Sequence, residues 1–182
     1  MSFTTMIIFL SLCASPLGAH LTLEDAKEFL STNETMWMVR RSFIRYGTSG
    51  EENSCVNVKK VDVTNRDRYK YAHHHKEGQT WVDIFIYVTP LQGTEADRDA
   101  IIDVSIEKDA SQKQYRLRYW DKQNHCAILT FKDTEGETTK CEMYQWEKDI
   151  RQEVPHLCDN RFDELCWEQK YVVNKDCTRS IQ

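Results

Sequence analysis

Short apolar runs separated by polar turns dominate the chain from Met36 to Trp146. Eight of them read as strands: 36–45, 56–64, 68–74, 81–88, 101–107, 114–120, 126–131 and 140–146. Period-two alternation is clearest in Tyr115-Arg116-Leu117-Arg118-Tyr119, apolar on one face and charged on the other. Lys122-Gln123-Asn124 and Asp133-Thr134-Glu135-Gly136 carry turn chemistry between the last pairs. About fourteen residues per strand and turn is the spacing of an up-and-down β-barrel or a sandwich. Helical periodicity flanks this region. Residues 21–31 predict a short helix, capped by Thr22, with Leu23, Ala26, Phe29 and Leu30 on one side. Pro155 suits a first helical turn, and Cys158, Phe162, Leu165 and Cys166 then form a stripe fit to press on the outside of a barrel.

The start of the chain follows another rule. Met1 to Ala19 contains no charged side chain, Met6 to Leu12 is apolar, and small residues follow at Ala14, Ser15, Gly18 and Ala19. That is the form of a secretory signal at 1–19, cut after Ala19, and it leaves a single domain over 20–182. No later run is apolar for long enough to cross a bilayer, so a soluble, exported protein is expected, with no membrane partner. The 24 basic and 29 acidic side chains give a net charge of −5 without a basic block, which argues against nucleic acid as a partner. Asn33-Glu34-Thr35 is a glycosylation sequon consistent with export.

Cysteines sharpen this picture. Cys13 leaves with the signal, and Cys55, Cys126, Cys141, Cys158, Cys166 and Cys177 remain. An even count in an oxidising compartment predicts three disulfides. No Cys-x2–4-Cys pair occurs, so no zinc or other metal site is expected. Eight helical residues would hold Cys158 and Cys166 about 12 Å apart, whereas a disulfide needs Cα atoms within about 7 Å. Each must therefore reach the barrel, where Cys126 and Cys141 are wall positions, leaving Cys55 with Cys177.

Catalytic chemistry is not visible. There is no Gly-x-Ser-x-Gly elbow, phosphate loop or His-Glu-x-x-His, and no cofactor is called for. His73-His74-His75 alternates faces on a strand and reads as an exposed edge or loop. Asp83, Asp103 and Glu107 read as solvated outer charges. Glu142 is different. It sits in Cys141-Glu142-Met143-Tyr144-Gln145-Trp146, and if Cys141 faces the outer helix, Glu142 and Tyr144 point inward. A carboxylate among aromatic rings is costly unless paired, and it suits a cationic ligand.

The chain resembles the histamine-binding group of tick salivary lipocalins. The resemblance runs from Asp25-Ala26 to Cys177 and is most specific in Cys126-Ala127-Ile128, thirteen residues, Glu142-Met143-Tyr144, thirteen residues, and Cys158. It is similar to that family's Cys-Asp-aliphatic, Glu-Leu-aromatic and Cys signature. Trp37-Met38-Val39-Arg40-Arg41-Ser42-Phe43 leading to Cys55 is similar to its first strand and first cysteine. The resemblance implies a mostly β, lipocalin-type, eight-stranded antiparallel up-and-down barrel with a short N-terminal helix and a C-terminal helix packed on the outside. It implies Cys55–Cys177 and Cys126–Cys158 bridges and leaves Cys141–Cys166 as the third.

It also implies a secreted, non-enzymatic monomer that sequesters a small host mediator in its lumen. Histamine or serotonin is the first expectation, because Glu142 keeps its signature place. Tyr115 and Tyr144 match aromatic pocket positions, and Phe43 stands where a ligand-contacting Tyr is expected. Ala127 replaces an Asp, Leu117 replaces an inward acid, and Asp25-Ala26-Lys27 shortens an Asp-Ala-Trp-Lys start. Loss of those acids makes an apolar mediator (a leukotriene, fatty acid or sterol) the alternative, with a protein-directed immunomodulator as a third reading.

Overall fold

Thr22 opens the first helix with a reciprocal cap. Its hydroxyl accepts from the Asp25 N–H at 3.2 Å, and the Asp25 carboxylate accepts from the Thr22 N–H at 2.9 Å. The helix, α1, runs Leu23–Leu30 and buries Ala26, Phe29 and Leu30. The computed structural model describes residues 20–65, 67–106, 112–133, 138–150, 154–166, 171–173 and 177. The 1–19 segment expected as a signal, Glu107 and the turn at 134–136 fall outside them.

Eight strands follow: β1 Met36–Arg41, β2 Asn53–Asn65, β3 Arg68–Glu77, β4 Thr80–Leu91, β5 Ile101–Ser105, β6 Gln112–Asp121, β7 Cys126–Lys132 and β8 Thr139–Trp146. Each pairs antiparallel with the next, and β1 pairs with both β8 and β2, closing the barrel. A two-residue strand, β9 (Tyr171–Val172), adds to β1 at Arg40 and Arg41. Closure leaves the eight-stranded wall without free edges, which is how such sheets avoid pairing with other chains.

The turn chemistry at 122–124 works through Asp121. Its carboxylate accepts from the backbone N–H groups of Gln123 and Asn124, both at 3.0 Å, and so turns β6 into β7. β1 is shorter than its apolar run predicts. Its register on β8 shifts between Met38 and Arg40, and Ser42 makes the last bonds to Cys141. Beyond it the chain folds on itself, with the Asn53 N–H donating to the Arg45 carbonyl at 2.8 Å and a bridge between Tyr46 and Glu52.

Packing divides the apolar side chains between two faces. Met36, Met38, Val58, Tyr71, Val88, Ile102, Leu117 and Leu129 fill the barrel's interior beneath α1. The Tyr71 hydroxyl donates to the Leu30 carbonyl at 2.6 Å, and Phe29 meets Trp120 edge-on at 5.2 Å, so α1 plugs one end. The opposite face of the wall carries Val39, Ile128 and Met143 against α2, His156–Leu165. Pro155 is the cap of α2 rather than part of its first turn, and Cys158 and Phe162 are its buried stripe.

Three disulfides join Cys55 to Cys177, Cys126 to Cys158, and Cys141 to Cys166, with Cα separations of 5.3, 6.5 and 6.1 Å. Two staple α2 to β7 and β8, and the third ties residue 177 to β2. The Cys55–Cys177 bridge spans 122 residues. Replacing both cysteines by serine should lower the unfolding free energy by about 2–5 kcal/mol, read from the urea midpoint at unchanged slope.

Candidate functional site

Strand alternation builds the site. On β8, Cys141 and Met143 face α2, so Glu142 and Tyr144 face the lumen. On β3 the same rule sends Tyr71, His73 and His75 inward, and on β6 it sends Lys113 and Tyr115. The result is a cavity of about 410 Å³ inside the barrel. Its floor is apolar, made by Phe29 and Leu30 of α1 with Met36, Met38, Val58, Val88 and Ile102. Farther along the strands the lining turns polar, with Arg45, Asn53, His73, His75, Lys113, Tyr115, Glu142 and Tyr144.

Glu142 is 1% exposed and is held on both oxygens. Oε1 lies 3.5 Å from Arg45 Nη2, and Oε2 accepts from the Tyr144 hydroxyl at 3.0 Å. Tyr115 reaches both Glu142 and Arg45. Burial first, and then the Glu142 charge, pushes the hydroxyl pKa of Tyr115 and Tyr144 above the ordinary tyrosine range, so both remain donors. Burial is the largest influence on the Arg45 cation and works against it, but Glu142, Tyr115 and Tyr144 together hold the guanidinium above its ordinary pKa. The Arg45 side chain is 36% exposed, so this pair straddles the boundary between lumen and solvent.

Aromatic rings carry the cations. The Arg45 guanidinium lies 5.5 Å from the Phe43 centroid, Phe43 meets Phe131 edge-on at 5.4 Å, and Phe131 meets Tyr115 at 5.2 Å. Lys113 Nζ sits 3.2 Å above the Phe131 ring. Burial brings the Lys113 ammonium down to about 8, with Glu142 opposing the shift.

The sequence-predicted residues Glu142, Tyr144 and Tyr115 thus meet in one cluster. Phe43 does not line the cavity; it backs Arg45 instead. Ala127 and Leu117 are fully buried among core side chains and place no acid in the lumen. Asn33 is exposed in the segment between α1 and β1.

Two expectations are corrected. The triple histidine is neither an edge nor a loop: it lies in β3, paired on both sides by β2 and β4, with His75 6% exposed. Asp103 is buried and accepts from the Gln114 side chain at 3.3 Å, whereas Asp83 stays exposed beside His74. Sequence reasoning missed Arg45, Lys113 and Asn53. Inward parity marks Lys113, two residues before Tyr115. Arg45 and Asn53 sit where β1 has ended and β2 was expected later, so no period points to them.

Burial pushes the His73 ring down to about 4, assisted by the neighbouring His75 and Arg45. The unfolded ring protonates near 6.5. A base whose folded pKa is depressed costs stability as pH falls from about 6.5 to about 4, because only the unfolded chain takes up the proton there. Thermal melts should therefore shift downward across that window, beginning above the range where carboxylates titrate. His73→Phe should flatten this limb; an unchanged profile would place the loss elsewhere.

Residues 18–179 match the family described as tick histamine binding protein. Japanin from Rhipicephalus appendiculatus, solved bound to cholesterol, superposes with a TM-score of 0.56 at 16% identity, over 80% of this chain and 95% of its own. AM182, solved as a serotonin complex, superposes with a TM-score of 0.55 at 13% identity, over 79% of this chain and 84% of its own. No curated protein matches the sequence. The two structures share the lipocalin-type fold with this chain. With the match spanning nearly the whole sequence, the chain belongs to the tick histamine binding protein family.

Proposed function

We propose that this protein is a secreted salivary lipocalin that withholds a small host mediator from its receptors by enclosing it in the barrel. The observation that carries this is the lumen: an apolar floor sealed by α1 beneath a cluster of charged and hydrogen-bonding groups. Binding, without turnover, is what such a cavity supports. Export fits the uncharged leader at 1–19, the exposed sequon at Asn33 and the three disulfides. A single domain over 20–182 that works as a monomer is part of the same reading.

Charge in the lining favours an apolar mediator with an acidic end, such as a fatty acid or eicosanoid. Among the described lining residues, Arg45 and Lys113 stand against one carboxylate, Glu142, and that carboxylate already faces Arg45. An anionic head gains the uncompensated cation, and its tail gains burial at about 25 cal/mol per Å². Japanin, with cholesterol in its structure, fits an apolar occupant.

An amine is the second reading, favoured by Glu142 between Tyr115 and Tyr144 and by the serotonin complex of AM182. It requires the ammonium to displace Arg45 from Glu142.

Calorimetry with histamine, serotonin, a leukotriene, hexadecanoic acid and cholesterol separates the two. A charge-assisted hydrogen bond contributes about 1.5–3 kcal/mol. For the acidic lipid, Lys113→Met should therefore weaken hexadecanoate about tenfold to a hundredfold while Glu142→Gln does not. Steep loss of amine heat in Glu142→Gln, with no heat from any lipid, would decide for the amine.

A further inference from the structure

The polar end of the lumen holds more than the Arg45–Glu142 pair. β3 turns His73 and His75 to the same face, their rings edge-on at 5.3 Å. Asn53, at the start of β2, joins them in the cavity wall, and its backbone N–H is bonded to the Arg45 carbonyl. Asn53 Oδ1, His73 Nδ1 and His75 Nδ1 are buried and have no hydrogen-bond partner among the described residues. His75 and Asn53 are 6% and 7% exposed. Polar atoms this deep are nearly always paired, so each needs a partner from the cavity side.

The chemistry of that partner is fixed by Glu77. Its Oε1 lies 3.3 Å from His75 Nε2. Hydrogen bonds, first from the Ser49 hydroxyl, hold the Glu77 carboxyl below its ordinary range, so it accepts only. In the neutral ring the proton of His75 therefore sits on Nε2, and Nδ1 presents a lone pair. Asn53 Oδ1 is an acceptor as well. Two buried acceptors require a donor. Arg45, whose charge acts on His73, disfavours a cationic one. An O–H group meets both demands, since it stays uncharged, donates its one proton to Asn53 Oδ1 or His75 Nδ1, and accepts from whichever nitrogen of His73 holds a proton.

We infer that Asn53, His73 and His75 form a second polar subsite that recognises a hydroxyl on an otherwise apolar ligand. This rests on the lipid reading of the lumen given above, and it adds what that reading lacks: selection for an oxygenated chain over its plain parent. A site built to bond a hydroxyl discriminates against the analogue without one, because the protein's own groups are then left unpaired.

The test is titration of the oxidised protein with hexadecanoic acid and its 3-, 8- and 16-hydroxy derivatives, read by calorimetry. At least one hydroxy acid should bind about tenfold or more tightly than the parent. His75→Phe or Asn53→Leu, whichever removes the acceptor the hydroxyl uses, should bring that ratio to within about twofold. Equal binding of all four acids overturns the subsite and leaves the lipid reading standing. A preference that survives in both variants also overturns it. Absence of binding by every acid removes the lipid reading and the subsite together. Histamine losing affinity in His75→Phe would show the acceptors serving an ammonium, which overturns the hydroxyl.

Discussion

A strand has two sides, and β8 uses both. Because successive side chains must part to opposite faces, the same run that hands Cys141 and Met143 to α2 hands Glu142 and Tyr144 to the lumen. The Cys141–Cys166 bridge then makes the register hard to change: a slip by one residue would bring a carboxylate against Phe162 and α2 and draw the sulphur into the cavity. The site therefore inherits its accuracy from the outer helix, although no residue of that helix lines the cavity.

Burying charge beside the apolar floor has a cost, and the barrel meets it in layers. Glu142 is shared among Arg45, Tyr144 and Tyr115, so no single bond carries it. The two cations rest on a ladder of edge-on rings, Phe43 to Phe131 to Tyr115, whose faces offset part of their lost hydration. Phe43, where a ligand-contacting tyrosine was expected, has become a support for Arg45. Where the family resemblance implies several acids, this chain has Ala127 and Leu117 packed tightly into the core, and the cationic partner of the surviving acid comes from the protein itself.

The barrel was legible in the sequence because its signal is repetitive: eight apolar runs, turn residues between them, and helical periods at both ends. Glu142, Tyr144 and Tyr115 were legible because they lie on strands whose facing can be counted from a cysteine or a neighbour. Arg45 was not, since it follows the point where β1 breaks its register, and past a break parity carries no information. The histidines illustrate a different failure. Their alternation was visible, but three consecutive polar rings look like an edge until β2 and β4 are known to flank them. Lys113 was hidden by composition, because an ammonium above a ring in an apolar wall breaks the usual sorting of charge to the outside.

The α1 plug gives the cavity a direction. With Phe29 and Leu30 stoppering one end and Tyr71 tethering that stopper to the wall, traffic must pass the charged rim at the far end. A guest threads in tail first and comes to rest head last. Molecules with a polar group at each tip would strand one of them on dry hydrocarbon, so the stopper sorts guests by asymmetry before any side chain touches their head.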